Sequence, residues 1–171
     1  SRRAQRLAQL TAVLGNVAYD NDPLTDTLMV LDPELLGSDE PLAVHRVRLG
    51  DRTLAALLNV VAPDGYSGAI RLLVAISAEG RVLGVRVLEH RETPGLGDFI
   101  DTRHSDWIHG FAGRSLGDPP AAGWQVRKDG GEFDQFTGAT VTPRAVVGAV
   151  RNSLMYFERH RAELLDEAPA P

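Results

Sequence analysis

Apolar residues recur with two periods along this chain, one near 3.6 and one near 2. Residues 2–14 carry Leu7, Leu10 and Leu14 at helical spacing, and Gly15-Asn16 follows as a stop, so the spacing predicts an amphipathic helix. Residues 19–41 hold Pro23, Pro33 and Pro41 among many aspartates and read as loop, with one short strand near Leu28–Leu31. Residues 43–48 alternate as a strand does. Residues 52–61 are a longer apolar run, read as a strand, although their Ala and Leu content also suits a helix. Pro63-Asp64-Gly65 marks a turn. Residues 69–77 and 81–89 flank Ala78-Glu79-Gly80 as a hairpin, and the first is apolar at both parities. That pattern predicts a central strand covered on both faces.

The second half is less periodic. Residues 92–98 form a Gly/Pro-rich loop, and a short helix is expected around 105–111, where Trp107 and Phe111 lie one turn apart. Residues 114–123 read as loop and 124–128 as a strand. Residues 143–161 give the strongest helix, with Val146, Val147, Val150, Leu154 and Phe157 on one stripe. The fold class is therefore α+β: a mainly antiparallel sheet, a C-terminal helix packed on it and an N-terminal helix free to stand apart. The expected divisions are residues 1–18 for that first helix, 19–162 for the domain and 163–171 for a disordered tail.

Composition narrows the function. The net charge of −5 gives no basic surface for nucleic acid. Arg2, Arg3 and Arg6 cluster at the start, which reads as a solvated helix face. There are no cysteines, which removes disulfides, iron–sulfur clusters and thiolate zinc sites. Any redox chemistry must then use an organic cofactor or a haem. His45, His90, His104, His109 and His160 lack ligand spacing, which argues against haem and metal. No dinucleotide fingerprint exists, because the third glycine position after Gly95 and Gly97 is Ile100. No apolar stretch is long enough to span a bilayer, and no signal-peptide core is visible.

The most informative segment is Asp134-Gln135-Phe136-Thr137-Gly138-Ala139-Thr140-Val141-Thr142-Pro143. Thr142 before Pro143 reads as an N-cap followed by the first helical residue. Thr137 and Thr140 add hydroxyls around Gly138 in the preceding turn. Helix N-termini present free N–H groups and partial positive charge, so the segment suits a phosphate. On these features alone a plain capped helix after a turn is the stronger reading.

Asp134 to Thr140 resembles the recognition sequence of bacterial FMN transferases. Four further segments, in order, resemble the G subunit of the Rnf electron-transport complex: Tyr19-Asp20-Asn21-Asp22, Pro63 to Gly68, His90 to Asp98 and Ser105 to Ile108. The likeness covers about residues 19–161. A related family is the C subunit of the sodium-translocating NADH:quinone reductase. The Glu-Thr-Pro-Gly-Leu-Gly loop at 92–97 favours the Rnf family.

The resemblance implies FMN as cofactor, esterified through its phosphate to Thr140, with FAD as donor and a Mg-dependent FMN transferase as the attaching enzyme. It implies an electron-carrying subunit rather than an independent enzyme, with the other Rnf subunits as partners. It also implies a single membrane helix ahead of residue 1 and a periplasmic position at the bacterial inner membrane. Gly138 and Ala139 would give the phosphate room, beside Thr137 and Thr142. Leu96 and Thr93 would approach the flavin ring, unless Leu96 is tucked into the core. Tyr66 would pack on the ring or close the edge of the core. Glu92 would bond the ring or the ribityl hydroxyls, or stay solvated. Lys128 would sit near the flavin or in solvent. Two other readings are a flavin-binding sensor or maturation domain outside the complex, and a non-redox protein-binding module.

Overall fold

Five strands occupy the middle of the chain in a computed structural model that describes residues 1–167. They are β1 (Thr27–Val30), β2 (Leu42–Leu49), β3 (Arg52–Ala62), β4 (Ile70–Ser77) and β5 (Val82–Glu89). Their order in the sheet is their order in sequence, and each pair is antiparallel. The fold is α+β, as the periodicity predicts. β3 resolves to a strand because it is paired along both edges: Leu57 lies opposite His45 on β2 and Ala75 on β4.

Both faces of the sheet are covered, which explains the apolar runs at both parities. Ile70, Leu72, Val74 and Ile76 of β4 point into the larger core, while Leu73 and Ala75 point into a smaller one. α3 (Val141–Arg159) lies over the larger core through Val146, Val147, Val150, Leu154 and Phe157. Each such side chain fully withdrawn from water contributes about 1.5–3 kcal/mol. α1 (Arg2–Leu14) does not stand apart. Its Leu10, Val13 and Leu14 close the smaller core against Val47, Leu57 and Leu73.

Three local expectations change. Residues 33–36, read as loop, form a one-turn helix, α2 (Pro33–Leu36), with Asp32 as N-cap, Pro33 at the first turn and Gly37 in a left-handed C-cap. Residues 124–128 are not a strand. They form one isolated bridge, Val126 to Phe133, and a 3-10 turn at Arg127–Asp129. The chain also stays packed beyond residue 162. α4 (Arg161–Leu164) buries Leu164 and Leu165, and the Arg46 side chain donates to the carbonyls of Glu163 and Leu164 at its end. The rest of the expected tail, 168–171, lies outside the described residues.

The segment between β5 and α3 has little regular structure, so aromatic packing replaces the ladder. Phe111 and Phe133 stack with centroids 4.9 Å apart, and Trp107 meets Phe136 edge-on at 5.2 Å. Trp107 also donates its indole N–H to the Asp134 carbonyl at 2.8 Å. This packing fixes the start of the threonine-rich turn before it reaches α3.

Candidate functional site

Three segments converge at the N-terminal end of α3. They are the 65–68 turn between β3 and β4, the 92–97 loop after β5 and the 137–142 turn. Between them lies a cavity of about 320 Å³ lined by Tyr66, Thr93, Leu96, Gly97, Gly138, Ala139 and Thr140 to Thr142. That volume falls in the lower part of the range of about 300–1,000 Å³ for small-molecule sites. Seven of the ten residues expected at the site therefore share one wall: Tyr66, Thr93, Leu96, Gly138, Ala139, Thr140 and Thr142.

The helix begins earlier than the Thr142-Pro143 pair suggests. Thr140 is the N-cap residue, Val141 the first helical residue, and Pro143 the third. Proline costs no hydrogen bond there, because first-turn N–H groups have no carbonyl within the helix. Thr140 makes no side-chain capping bond, unlike most threonines at this position. Thr142 does not cap either. Its side chain is 1% exposed, and its hydroxyl donates to Glu92 Oε1 at 2.6 Å.

Glu92 differs from expectation. It is 4% exposed and does not line the cavity. Its Oε1 accepts from the Tyr66 N–H at 2.8 Å as well as from Thr142, and its Oε2 accepts from the Ser67 N–H at 2.8 Å. Glu92 is thus a pin joining the three segments, with both oxygens engaged by protein donors. The loop's other end is tied similarly: buried Asp98 accepts from the Gly95 N–H at 2.9 Å.

Lys128 lies exposed on the 3-10 turn, outside the lining, where its backbone N–H donates to the Gln135 side chain at 3.1 Å. Thr137 is also exposed and outside the lining. Asp134 pairs with Arg127 at 2.6 Å on the surface. Asp129 pairs with Arg144 of α3 at 2.7 Å, and that guanidinium lowers the Asp129 carboxyl below its usual range. The two pairs flank the turn from the 127–129 side.

Two residues of the site escaped the sequence reading. Gly97 is one. A β-carbon there would sit 2.7 Å from Thr142 Oγ1 and 2.8 Å from Glu92 Cβ, so only glycine leaves the Glu92–Thr142 bond intact. Gly138, by contrast, is required by its positive φ of 74° rather than by crowding. The second residue is Val141. It is exposed, as are Tyr66 and Leu96, so among the described residues three of the six large apolar side chains left in solvent line this one cavity. A cluster of exposed apolar groups marks a surface that covers something.

Comparison with known proteins gives the family of the chain. Residues 65–155 match the model of the FMN-binding domain family. The chain is 54% identical over 165 residues to the G subunit of the ion-translocating oxidoreductase complex of Pseudomonas aeruginosa, covering 96% of this chain and 77% of that one. The chain belongs to this G-subunit family. The G subunit of Cereibacter sphaeroides is 52% identical over 165 residues (96% and 72% covered), and that of Shewanella loihica 48% over 157 (92% and 74%).

The cofactor of this G-subunit family member is FMN. The residues present fit such a group at the α3 cavity. The Val141 and Thr142 N–H groups start the helix and suit a phosphate. Tyr66, Leu96 and Val141 offer apolar surface to a planar ring. Among the described residues no cluster of side chains is arranged to hold a metal ion.

Proposed function

We propose that FMN is held as a phosphoester on Thr140 Oγ1 and that the chain relays electrons within a membrane-associated ion-translocating oxidoreductase complex. One observation carries the choice of Thr140. Of the three hydroxyls around the turn, Thr142 is buried and bonded to Glu92, and Thr137 lies outside the cavity. Thr140 lines the cavity, and its side chain makes no capping bond. Attachment by an FMN transferase would replace the Oγ1–H bond by an Oγ1–P bond, with FAD as donor and AMP leaving.

When bound, the flavin supplies one- and two-electron redox chemistry. The chain's part is to hold and expose it. First-turn N–H groups of α3 would hold the phosphate, and a covalent tie would keep the cofactor at high effective concentration. The wall residues Leu96 and Val141 are each 41% exposed and Tyr66 is 73% exposed. Such an open site suits a carrier that must be approached by electron partners, and the partners in this reading are the other subunits of the complex.

The reading extends, on the family resemblance, to a membrane helix ahead of α1 and a periplasmic side for the domain. No described helix is long and apolar enough to cross a membrane.

The test is intact mass after co-expression with an FMN transferase and denaturation. A gain of one FMN less water, absent in Thr140→Val and retained in Thr137→Val, is the expected result. An unmodified mass beside a flavinylated positive control overturns attachment at this turn.

A further inference from the structure

The opposite face of the sheet carries a second cavity of about 320 Å³, between α1 and strands β2 to β5. Leu10 of α1, Leu73 of β4 and Leu88 of β5 form apolar walls. The polar lining is one-sided in charge. Arg6 and Arg71 line it and no Asp or Glu does, in a chain whose 23 acidic residues outnumber its 18 basic ones.

The charges at this cavity are weakly satisfied. The Arg6 side chain has no carboxylate or hydrogen-bond partner among the described residues. Arg71 meets Glu89 only at 3.7 Å, and both side chains are more than half exposed. The floor is engaged. His45 is 4% exposed, and its Nδ1 lies 2.8 Å from the Pro23 carbonyl, which can only accept. Nδ1 therefore carries the proton, and Nε2 faces the Asn59 side-chain amide at 3.4 Å. Asn59 also donates to the Ala43 carbonyl at 2.8 Å. Burial first, and the nearby Arg6 charge as well, lower the His45 pKa, so the floor is neutral while the rim is cationic.

We propose that this cavity binds an amphiphilic anion, its apolar chain against the leucines and its carboxylate or phosphate head at Arg6 and Arg71. Apolar walls beside one cation with no carboxylate partner and a second with only a distant, exposed one favour a group that is anionic at one end only. A free fatty acid and a single-chain phospholipid share that chemistry. The site is separate from the flavin cavity, since the two share no lining residue.

The experiment is calorimetric titration of the 171-residue chain, below micellar concentrations, with decanoate, decyl phosphate and decanol, alongside amide-shift mapping. Decanoate or decyl phosphate is expected to shift the amides of Ala43, His45, Asn59 and Leu73. Arg6→Gln and Arg71→Gln should each weaken binding about tenfold, and decanol should bind about tenfold more weakly or worse. The tighter of the two anions distinguishes the fatty-acid source from the phospholipid source, and either supports the site. Both substitutions are made at exposed side chains, and circular dichroism verifies the fold. Equal binding of decanol and decanoate, unchanged affinity in both variants, shifts confined to residues 93–97 and 138–142, or no binding at millimolar ligand would each overturn the proposal.

Discussion

Replacing Glu92 by alanine removes one buried carboxylate and unties three segments together. The carboxylate accepts from the N–H groups of Tyr66 and Ser67 and from the Thr142 hydroxyl, at 2.8, 2.8 and 2.6 Å. Hydrogen bonds to a charged group each contribute about 1.5–3 kcal/mol, but three bonds to one group do not add fully. Tyr66 and Ser67 are exposed, so water can serve their N–H groups after the change. The Thr142 hydroxyl is 1% exposed and would be left without a partner, at a cost of about 1–3 kcal/mol. A total loss of about 3–5 kcal/mol follows, which for a chain of this length lowers Tm by about 6–20 °C. Glu92→Gln keeps one acceptor oxygen but turns an NH2 toward a donor, and should lose about 2 kcal/mol. Urea unfolding gives the free energies, and amide shifts of Tyr66 and Ser67 report the bonds directly. A Glu92→Ala protein within about 1 kcal/mol of the parent, with those two amides unmoved, would refute the account of Glu92 as the pin of the site.

Three further outcomes follow from the same geometry. Gly97→Ala puts a β-carbon 2.7 Å from Thr142 Oγ1, so it should destabilise by about 1–3 kcal/mol in urea unfolding, and a neutral result would mean that the loop is looser than described. Thr140→Ala should cost less than about 0.5 kcal/mol, below the usual loss of about 0.5–2 for an N-cap threonine, because no capping bond is present; a cost near 2 kcal/mol by the same assay contradicts this. His45 is held below its usual pKa by burial, so the unfolded chain takes up its proton first as pH falls. Its contribution is complete above about pH 6.5 and declines below that, down to the folded-state pKa. His45→Gln should therefore lose less stability than the parent between about pH 7.5 and 5, and equal losses would place His45 outside the titration.

The elements that could be read in the sequence are those with a long, two-sided or one-sided apolar pattern. β4 showed its central place because both parities were apolar, and α3 because five residues lay on one stripe. α2 had the full set of end signals, Asp32, Pro33 and Gly37, yet four residues are too few to show a period. Trp124 and Val126 alternate like a strand, but Trp124 is buried against the Phe111 and Phe133 rings and Val126 makes only an isolated bridge to Phe133, a tertiary cause that leaves the same pattern. The site followed the same rule. Cavity-lining residues such as Thr140 and Leu96 were legible because they lie in short contiguous segments. Their support was not, because Glu92 and Thr142 are fifty positions apart and Gly97 acts by having no side chain.

That support explains how a cavity made of three loops could serve as the fixed cofactor seat proposed above. Loops carry unpaired backbone groups and are ordinarily the loosest parts of a domain. Here the free N–H groups at the 65–68 turn are taken by Glu92, that of Gly95 by Asp98, and the approach to the threonine turn is fixed by Trp107 and by the Asp134–Arg127 and Asp129–Arg144 pairs. The exposed surface that remains is apolar, at Tyr66, Leu96 and Val141, together with the Thr140 side chain that caps nothing. Order is supplied from behind the wall, and the groups on its front are left to whatever the wall holds.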